Sequence, residues 1–218
     1  MKTFFLRYRP SAYLSAGSLI RPIAATVALM ALSACALLST PDPVQSYRFG
    51  GVPASSAAAS TVASPTQVTL RRVEFPEAVE GDKLLGVTGT ETAYIAGARW
   101  VSPAADLYME SIENAFAAQA TRVRLIGPRE LTRGQRSLDI DIRSFEARYE
   151  APGLAPTIVV TARARLLVLP ERTVAAEQVF TVEQPATANR VSAIVEAFDL
   201  ATRDLNTQIV AWTDASAG

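Results

Sequence analysis

The sequence predicts a single α/β domain in which two main helices pack on a mixed, largely antiparallel sheet. Three segments between residues 138 and 182 alternate apolar and polar side chains, which is the pattern of half-buried strands. Two other segments, 103–119 and 189–212, repeat apolar residues every three or four positions, as amphipathic helices do. A chain of 218 residues is long enough to bury one substantial core.

The first half of the predicted domain contains short strands and one helix. The domain is expected to begin near Thr66, with strands at 84–87 and 92–96 separated by Gly89. Ser102 and Pro103 predict a helix start, with serine as the N-cap and proline at the first helical position. A further strand is expected at 122–126.

The second half reads as a three-stranded meander followed by a long helix. The alternating segment at 138–143, the long strand at 157–169 and the strand at 174–182 are joined by a Pro/Gly-bearing connection and by a turn at 170–172. Antiparallel neighbours are expected from connections this short. The last helix presents an apolar stripe from Val191 to Trp212, and the residues after it are expected to fray.

The composition excludes several kinds of site. The chain has no histidine and one cysteine, so catalysis by a Ser-His-Asp or Cys-His site is excluded, as is an intrachain disulfide. A structural zinc site is disfavoured because only one thiolate is present. Basic and acidic side chains number 21 each, which argues against a nucleic-acid partner. From the sequence we expect a protein that is not an enzyme and that carries neither a metal ion nor a cofactor.

The amino terminus has the layout of a secretory signal. The first 34 residues carry four basic side chains and no acidic one, and residues 23–38 are an uncharged apolar run. Within it, Leu32-Ser33-Ala34-Cys35 resembles the lipobox of bacterial lipoproteins, in which the cysteine is acylated after cleavage. The alternative is that Cys35 is a small apolar residue in an uncleaved anchor helix. Ala36, rather than an aspartate, follows the cysteine, which favours the outer membrane.

Cleavage before Cys35 would change the charge balance. Removing 34 residues with four basic groups leaves 184 residues with a net charge of −4, so acyl chains rather than a basic patch would hold the protein on the membrane. The predicted organisation is a signal peptide at 1–34, a lipidated cysteine with an Ala/Ser/Pro-rich tether at 35–65, a domain at 66–213 and a frayed tail at 214–218. Within the tether, 47–49 is apolar enough to dock on the domain as a short edge strand.

Two charged clusters are candidate sites. Asp139 and Asp141 lie two apart on one strand face and suggest a metal or a carboxylate pair, but beside Arg143 they are expected to be surface charges that pair with Arg163 and Arg165. The second cluster is a group of arginines that reads as a solvated loop or as a docking surface for an acidic partner or lipid headgroups. Its members are Arg122, Arg124, Arg129, Arg133 and Arg136.

Segments along most of the mature chain resemble the ABC-type transport auxiliary lipoproteins, a family that includes PqiC-like proteins. After Cys35 come a Tyr-x-Phe segment at 47–49, a strand at 68–76, Tyr94, and Arg99-Trp100-Val101-Ser102-Pro103 before a helix. An alanine-rich final helix then closes with Ile-x-x-Trp at Trp212. The sequence departs from the family at Val101, where alanine is usual, and at 86–91.

The resemblance implies a non-enzymatic, periplasm-facing lipoprotein of the cell envelope that is a component of an ABC/MCE-type intermembrane phospholipid transport system. Its implied partners are the membrane, through acylated Cys35, an MCE-domain protein, the ABC permease and ATPase, phospholipid, and further copies in a homo-oligomeric ring. Tyr94, Arg99, Trp100, Pro103 and Trp212 are the family-motif positions, with structural or partner-contact roles. The alternative function is a structural outer-membrane lipoprotein for envelope assembly or cell-wall contact.

Overall fold

A computed structural model describes residues 44–51, 64–71, 73–127, 130, 132 and 134–217. In this part of the chain the predicted fold class is confirmed: a mixed seven-stranded sheet carries helices on one face, and two further short strands pair beside it. The elements in chain order are β1 Gln45–Tyr47, β2 Thr66–Leu70, α1 Glu77–Glu80, β3 Leu85–Thr88, β4 Glu91–Tyr94, β5 Ala98–Trp100, α2 Ala104–Gln119, β6 Val123–Ile126, β7 Arg136–Tyr149, β8 Thr157–Val168, β9 Thr173–Pro185 and α3 Val191–Ala217.

Strand β7 lies at the centre of the large sheet and pairs with other strands on both sides. It pairs with β8 along nearly its whole length, and β8 pairs with β9, so the predicted antiparallel meander is present. On its other side, β7 pairs in parallel with β2 near its beginning and with β3 near its end. Strand β6 then pairs with β2, and β4 with β3. The sheet therefore has β9 at one edge and both β6 and β4 at the other.

One face of this sheet and the inner faces of the helices form the core. The inward residues of β7 and β8 alternate as predicted, and Leu138, Ile140 and Ala162 are each at most 1 % exposed. The α3 stripe packs on them through Phe198, Ala201, Leu205 and Ile209, all fully buried. Full burial of such aliphatic and aromatic side chains contributes about 1.5–3 kcal/mol each before entropy is counted.

The start of α2 differs from the prediction. Pro103, not Ser102, occupies the N-cap position, and its ψ of 137° is extended, so Ala104 is the first helical residue. No side chain caps this helix. The Ala104 N–H instead donates to the Gly81 carbonyl at 2.8 Å, which replaces the serine cap with a tertiary bond.

The prediction that the tail after Trp212 frays is wrong for the residues that the structure describes, because α3 continues to Ala217. Thr213 and Ala217 are buried, and the Thr213 hydroxyl donates to the Ile209 carbonyl at 2.7 Å. Packing of these small side chains against the domain supplies the stabilisation that an isolated helix end lacks.

Candidate functional site

The lipobox residues Leu32, Ser33, Ala34 and Cys35 lie outside the described residues. The structure therefore bears on the other candidate positions, which belong to the folded domain. They fall into a buried group around Trp100 and several exposed surfaces.

The Tyr-x-Phe segment and the Arg-Trp segment are brought together. Strand β1 pairs in parallel with β5, with Tyr47 opposite Trp100, and the Val101 N–H donates to the Tyr47 carbonyl at 2.7 Å. The Phe49 ring then meets the Trp100 indole edge to face, with centroids 4.9 Å apart. The segment predicted to dock on the domain therefore does so, and its aromatic residue enters the core.

Trp100 has a structural position. It is 1 % exposed, and its ring also contacts Phe198 at a centroid distance of 5.4 Å. Its indole nitrogen finds no acceptor among the described residues. A tryptophan enclosed in this way holds β5 against α3 and offers no surface to a ligand.

Tyr94 on β4 and Arg99 on β5 are exposed, and each contacts a residue of the short segment that follows α1. The Tyr94 ring is 48 % exposed and lies under the Lys83 ammonium at 4.7 Å, while its hydroxyl donates to the Ala78 carbonyl at 3.2 Å. An Arg99 nitrogen lies 3.7 Å from an Asp82 oxygen. These contacts are at the surface and contribute little stability.

Pro103 and Trp212 are at opposite ends of the helical layer. The Pro103 carbonyl accepts from the N–H groups of Asp106 and Leu107, at 3.0 and 3.1 Å, and so starts α2. Trp212 is partly buried against the core, with its ring 5.9 Å from that of Phe180 on β9.

The charged face of the meander is a ladder of ion pairs, as the sequence predicted. Arg163 lies opposite Asp141 and Arg165 opposite Asp139, with nitrogen–oxygen distances of 3.1 and 3.8 Å. Arg143 also approaches Asp141, at 3.6 Å. Among the described residues no group of three or more potential ligands could hold a metal ion. The two aspartates are therefore paired with arginines and form a mixed-charge surface.

The arginine cluster is dispersed where the structure describes it. Arg124 pairs with Glu130 at 2.8 Å, and Arg136 donates to the Ser216 carbonyl at 3.2 Å. Arg122 is exposed, and Arg129 and Arg133 lie outside the described residues. These three described arginines do not converge on one point.

A groove of about 1070 Å³ runs between α2 and the edge strand β6. Its lining is mixed: Met109, Phe116 and Leu125 contribute apolar surface, and Asp106 and Glu110 on α2 contribute acidic groups.

A smaller hollow of about 320 Å³ lies where β3, β4 and the end of β7 meet. Gly86 and Tyr149 both line it. A Cβ at Gly86 would lie 3.3 Å from the Tyr149 ring, so the absence of a side chain lets the ring pack closely on β3. Burial raises the pKa of the Tyr149 hydroxyl.

Comparison with known proteins identifies the family of this domain. The family model described as the ABC-type transport auxiliary lipoprotein component matches residues 47–210, which span β1 to the last turns of α3. The chain belongs to that family. The matched range includes the β1–β5 pair, the meander and every family-motif position except Trp212.

Solved structures share the fold of this auxiliary lipoprotein. A crystal structure of protein XCC0632 from Xanthomonas campestris has 24 % identity and a TM-score of 0.68, covering 79 % of this chain and 96 % of that one. A second, of an uncharacterised protein, has 14 % identity and a TM-score of 0.58, covering 67 % and 91 %. None of the curated proteins matches this chain. In the described residues, no helix of this auxiliary lipoprotein is long and apolar enough to cross a membrane.

Sequence reasoning missed the most extensively bonded carboxylate of the domain. Asp214 on α3 accepts from the Thr121 N–H at 2.7 Å, the Thr121 hydroxyl at 2.8 Å and the Val123 N–H at 3.0 Å. It thus holds the end of α2 and the beginning of β6 against the last turn of α3. No local pattern could have indicated this, because the partners are more than 90 residues apart in sequence.

Proposed function

We propose that this protein is a non-enzymatic accessory lipoprotein of an ABC/MCE-type lipid transport system, anchored in the outer membrane through Cys35 and facing the periplasm. The family match over residues 47–210 is the observation that carries the proposal. The domain offers surfaces for docking rather than a reaction centre. Its exposed candidates are ion pairs and aromatic side chains, and the chain has no histidine.

The lipobox supports the proposed anchor, and the number of residues between Cys35 and β1 limits how far the domain can lie from the membrane. Nine residues, 36–44, lie between Cys35 and the first residue of β1, and residues 52–65 lie between the segment 44–51, which contains β1, and strand β2. Nine residues span at most about 30 Å when extended, so acylation would keep β1 and its β5 partner close to the membrane surface. The rest of the domain would then face the partner protein.

Acylation is tested by metabolic labelling with palmitate. The wild-type protein should incorporate label and fractionate with outer membranes, whereas Cys35→Ala should lose both properties. Cys35→Ser, which keeps the size of the residue but not the thiol, is the matched control and should behave like alanine. Label that persists in either variant refutes this anchor.

Participation in transport is tested by co-purification of the full-length protein with an MCE-domain protein of the same organism. The two should copurify in detergent, and the lipoprotein should be required for lipid movement between membranes. Envelope assembly without lipid movement is the alternative, and it would be supported if loss of the protein changed cell-wall attachment but left lipid exchange intact.

A further inference from the structure

The free edge of β9 is the longest exposed strand edge in the described domain. The strand runs for 13 residues, Thr173–Pro185, and in the described part of the chain it pairs with β8 alone. Helix α3 covers its inner face through Phe180 and Val182, which are 5 and 6 % exposed. The outer edge of the strand has no such cover among the described residues.

The hydrogen-bond phase identifies which backbone groups point outward. The Ala186 N–H donates to the Pro156 carbonyl at 2.9 Å, and the β8–β9 register is unbroken from Thr157 to Leu166. Because hydrogen-bonded residues alternate along an antiparallel pair, even-numbered residues from 178 to 184 bond to β8. The N–H and C=O groups of Glu177, Val179, Thr181 and Glu183 therefore point away from the sheet.

This edge lacks most of the features that protect edge strands. Such strands usually carry lysine, proline, a bulge or a covering segment, because an exposed row of backbone groups invites another strand. Residues 173–185 contain no lysine or arginine, and the one proline, Pro185, is the last residue of the strand. The register of β9 against β8 is irregular at Ala175, but it is regular over residues 176–185. Val174 and Val179 are 54 and 53 % exposed, so the open edge presents apolar side chains as well as polar ones.

The charge of the β9 edge indicates which side chains a strand added to this edge would carry. Glu177 and Glu183 are exposed on the same side of β9 as Val179, and neither makes an ion pair with a described residue. They are six residues apart, or about 20 Å along a strand. A strand added here would place its own side chains opposite these carboxylates, where cations are favoured and like charges are destabilising.

We propose that the outer edge of β9 binds an extended segment of a partner protein by strand addition. The segment carries basic side chains six positions apart, opposite Glu177 and Glu183, with β-branched apolar residues between them opposite Val179 and Thr181. Outward backbone groups supply the hydrogen bonds, and the alternate side chains supply the selectivity, as in other cases of β-augmentation.

Charge favours such a segment over a second copy of this chain. Pairing β9 with the β9 of another copy would bring four glutamates together at one junction without a basic residue from either strand. The inference does not rest on lipid transport, because it requires only the described edge of the sheet and fails or succeeds whatever the anchored protein transports.

The proposal is tested with the full-length protein in detergent and a fluorescent peptide, Lys-Thr-Val-Thr-Val-Thr-Lys, with glutamate replacing both lysines in a control peptide. The wild-type protein should bind the lysine peptide in preference to the glutamate peptide. Val179→Pro removes an outward N–H without breaking a β8–β9 bond, and should weaken binding about tenfold. Val179→Ala keeps the N–H and is the matched control, with binding close to wild type.

A second variant keeps the test valid if the proline variant fails to fold. Glu177→Lys/Glu183→Lys changes exposed positions and should reverse the preference, so that the glutamate peptide binds better. The proposal is overturned if neither peptide binds, if the charge reversal leaves the preference unchanged, or if a folded Val179→Pro protein binds as well as Val179→Ala. It is also overturned if size measurements show that Val179→Pro dissociates an oligomer of the wild-type chain, since a second copy would then occupy the edge.

Discussion

Gly50 is the residue at which the chain leaves β1 and passes between the two long helices. Its φ of +68° lies in the left-handed region, and a Cβ placed there would come within 2.4 Å of the Ser111 Cβ. Its N–H donates to an Asp199 oxygen at 2.8 Å. Beside it, the Asn206 amide donates to the Ser111 hydroxyl at 2.9 Å in the buried contact of α2 with α3. Only glycine satisfies both the backbone conformation and the space.

Gly50→Ala should therefore lower the free energy of unfolding by about 2–4 kcal/mol, through left-handed strain and overpacking. Gly51→Ala is the matched control, because a Cβ at Gly51 meets nothing within 4 Å, and it should change stability by less than about 0.5 kcal/mol. Urea denaturation followed by tryptophan fluorescence measures both. Equal stability of the two variants would contradict the assigned role of Gly50.

Tyr108 is a buried acid whose titration should appear in the stability of the domain. Complete burial raises the pKa of its hydroxyl strongly, whereas an unfolded tyrosine titrates near pH ~10. The folded state thus favours the neutral form, so this contribution is present below about pH 10 and is lost as the pH rises further.

Tyr108→Phe should reduce the loss of stability above about pH 10, because the hydroxyl whose ionisation is disfavoured by burial is removed. At pH 7 the variant should differ from wild type by less than about 1 kcal/mol, since the hydroxyl has no partner among the described residues. Urea midpoints at a series of pH values provide the measurement. An unchanged alkaline slope would show that Tyr108 does not contribute to it.

At the scale of elements, the periodic segments were predictable and their ends were not. Helix α2 and the meander lie where apolar spacing placed them, because long amphipathic repeats leave few alternative ways to bury the same side chains. The end of α3 depends instead on Asp214. Its carboxylate oxygens accept hydrogen bonds from the Thr121 N–H, just after α2, and from the Val123 N–H at the start of β6. The cap of α2 depends likewise on Gly81.

Asp214→Ala should destabilise the domain by about 1–3 kcal/mol, because it leaves backbone donors near Thr121 and Val123 without their acceptor. Amide hydrogen exchange should accelerate most in β6 and the last turn of α3. Asp204→Ala is a control on the same helix, where the carboxylate accepts only a weak bond from Gln208 at 3.3 Å. Unchanged exchange in β6 after Asp214→Ala would contradict the proposed coupling.

For the whole molecule, one aromatic cluster joins segments that are distant in sequence. Phe49, Trp100, Phe145 and Phe198 come from the β1 segment, β5, β7 and α3, and neighbouring ring centroids lie 4.9–6.3 Å apart. Edge-to-face and tilted contacts of this kind add to the stabilisation from burial. Residues 44–51 consequently pack as part of the domain, although the sequence predicts that they belong to the tether at 35–65.

Phe49→Ala should lower global stability by about 3–5 kcal/mol, as expected for truncation of a fully buried aromatic side chain. The midpoints seen by far-ultraviolet circular dichroism and by tryptophan fluorescence should fall together, because the segment unfolds with the domain. Val44→Ala, at a position 43 % exposed, should have little effect. A fluorescence change without a fall in the dichroism midpoint would mean that β1 docks independently.

The sequence by itself determined the fold class, the amphipathic helices, the meander and the cross-strand pairing of Asp139 and Asp141 with arginines. Each depends on local periodicity, which is written in neighbouring residues. The tertiary structure alone decided the parallel pairing of β2 and β3 with β7, the burial of Trp100 against Phe49, and the continuation of α3 to Ala217. These features depend on contacts between residues far apart in the chain, whose free energy no local pattern records.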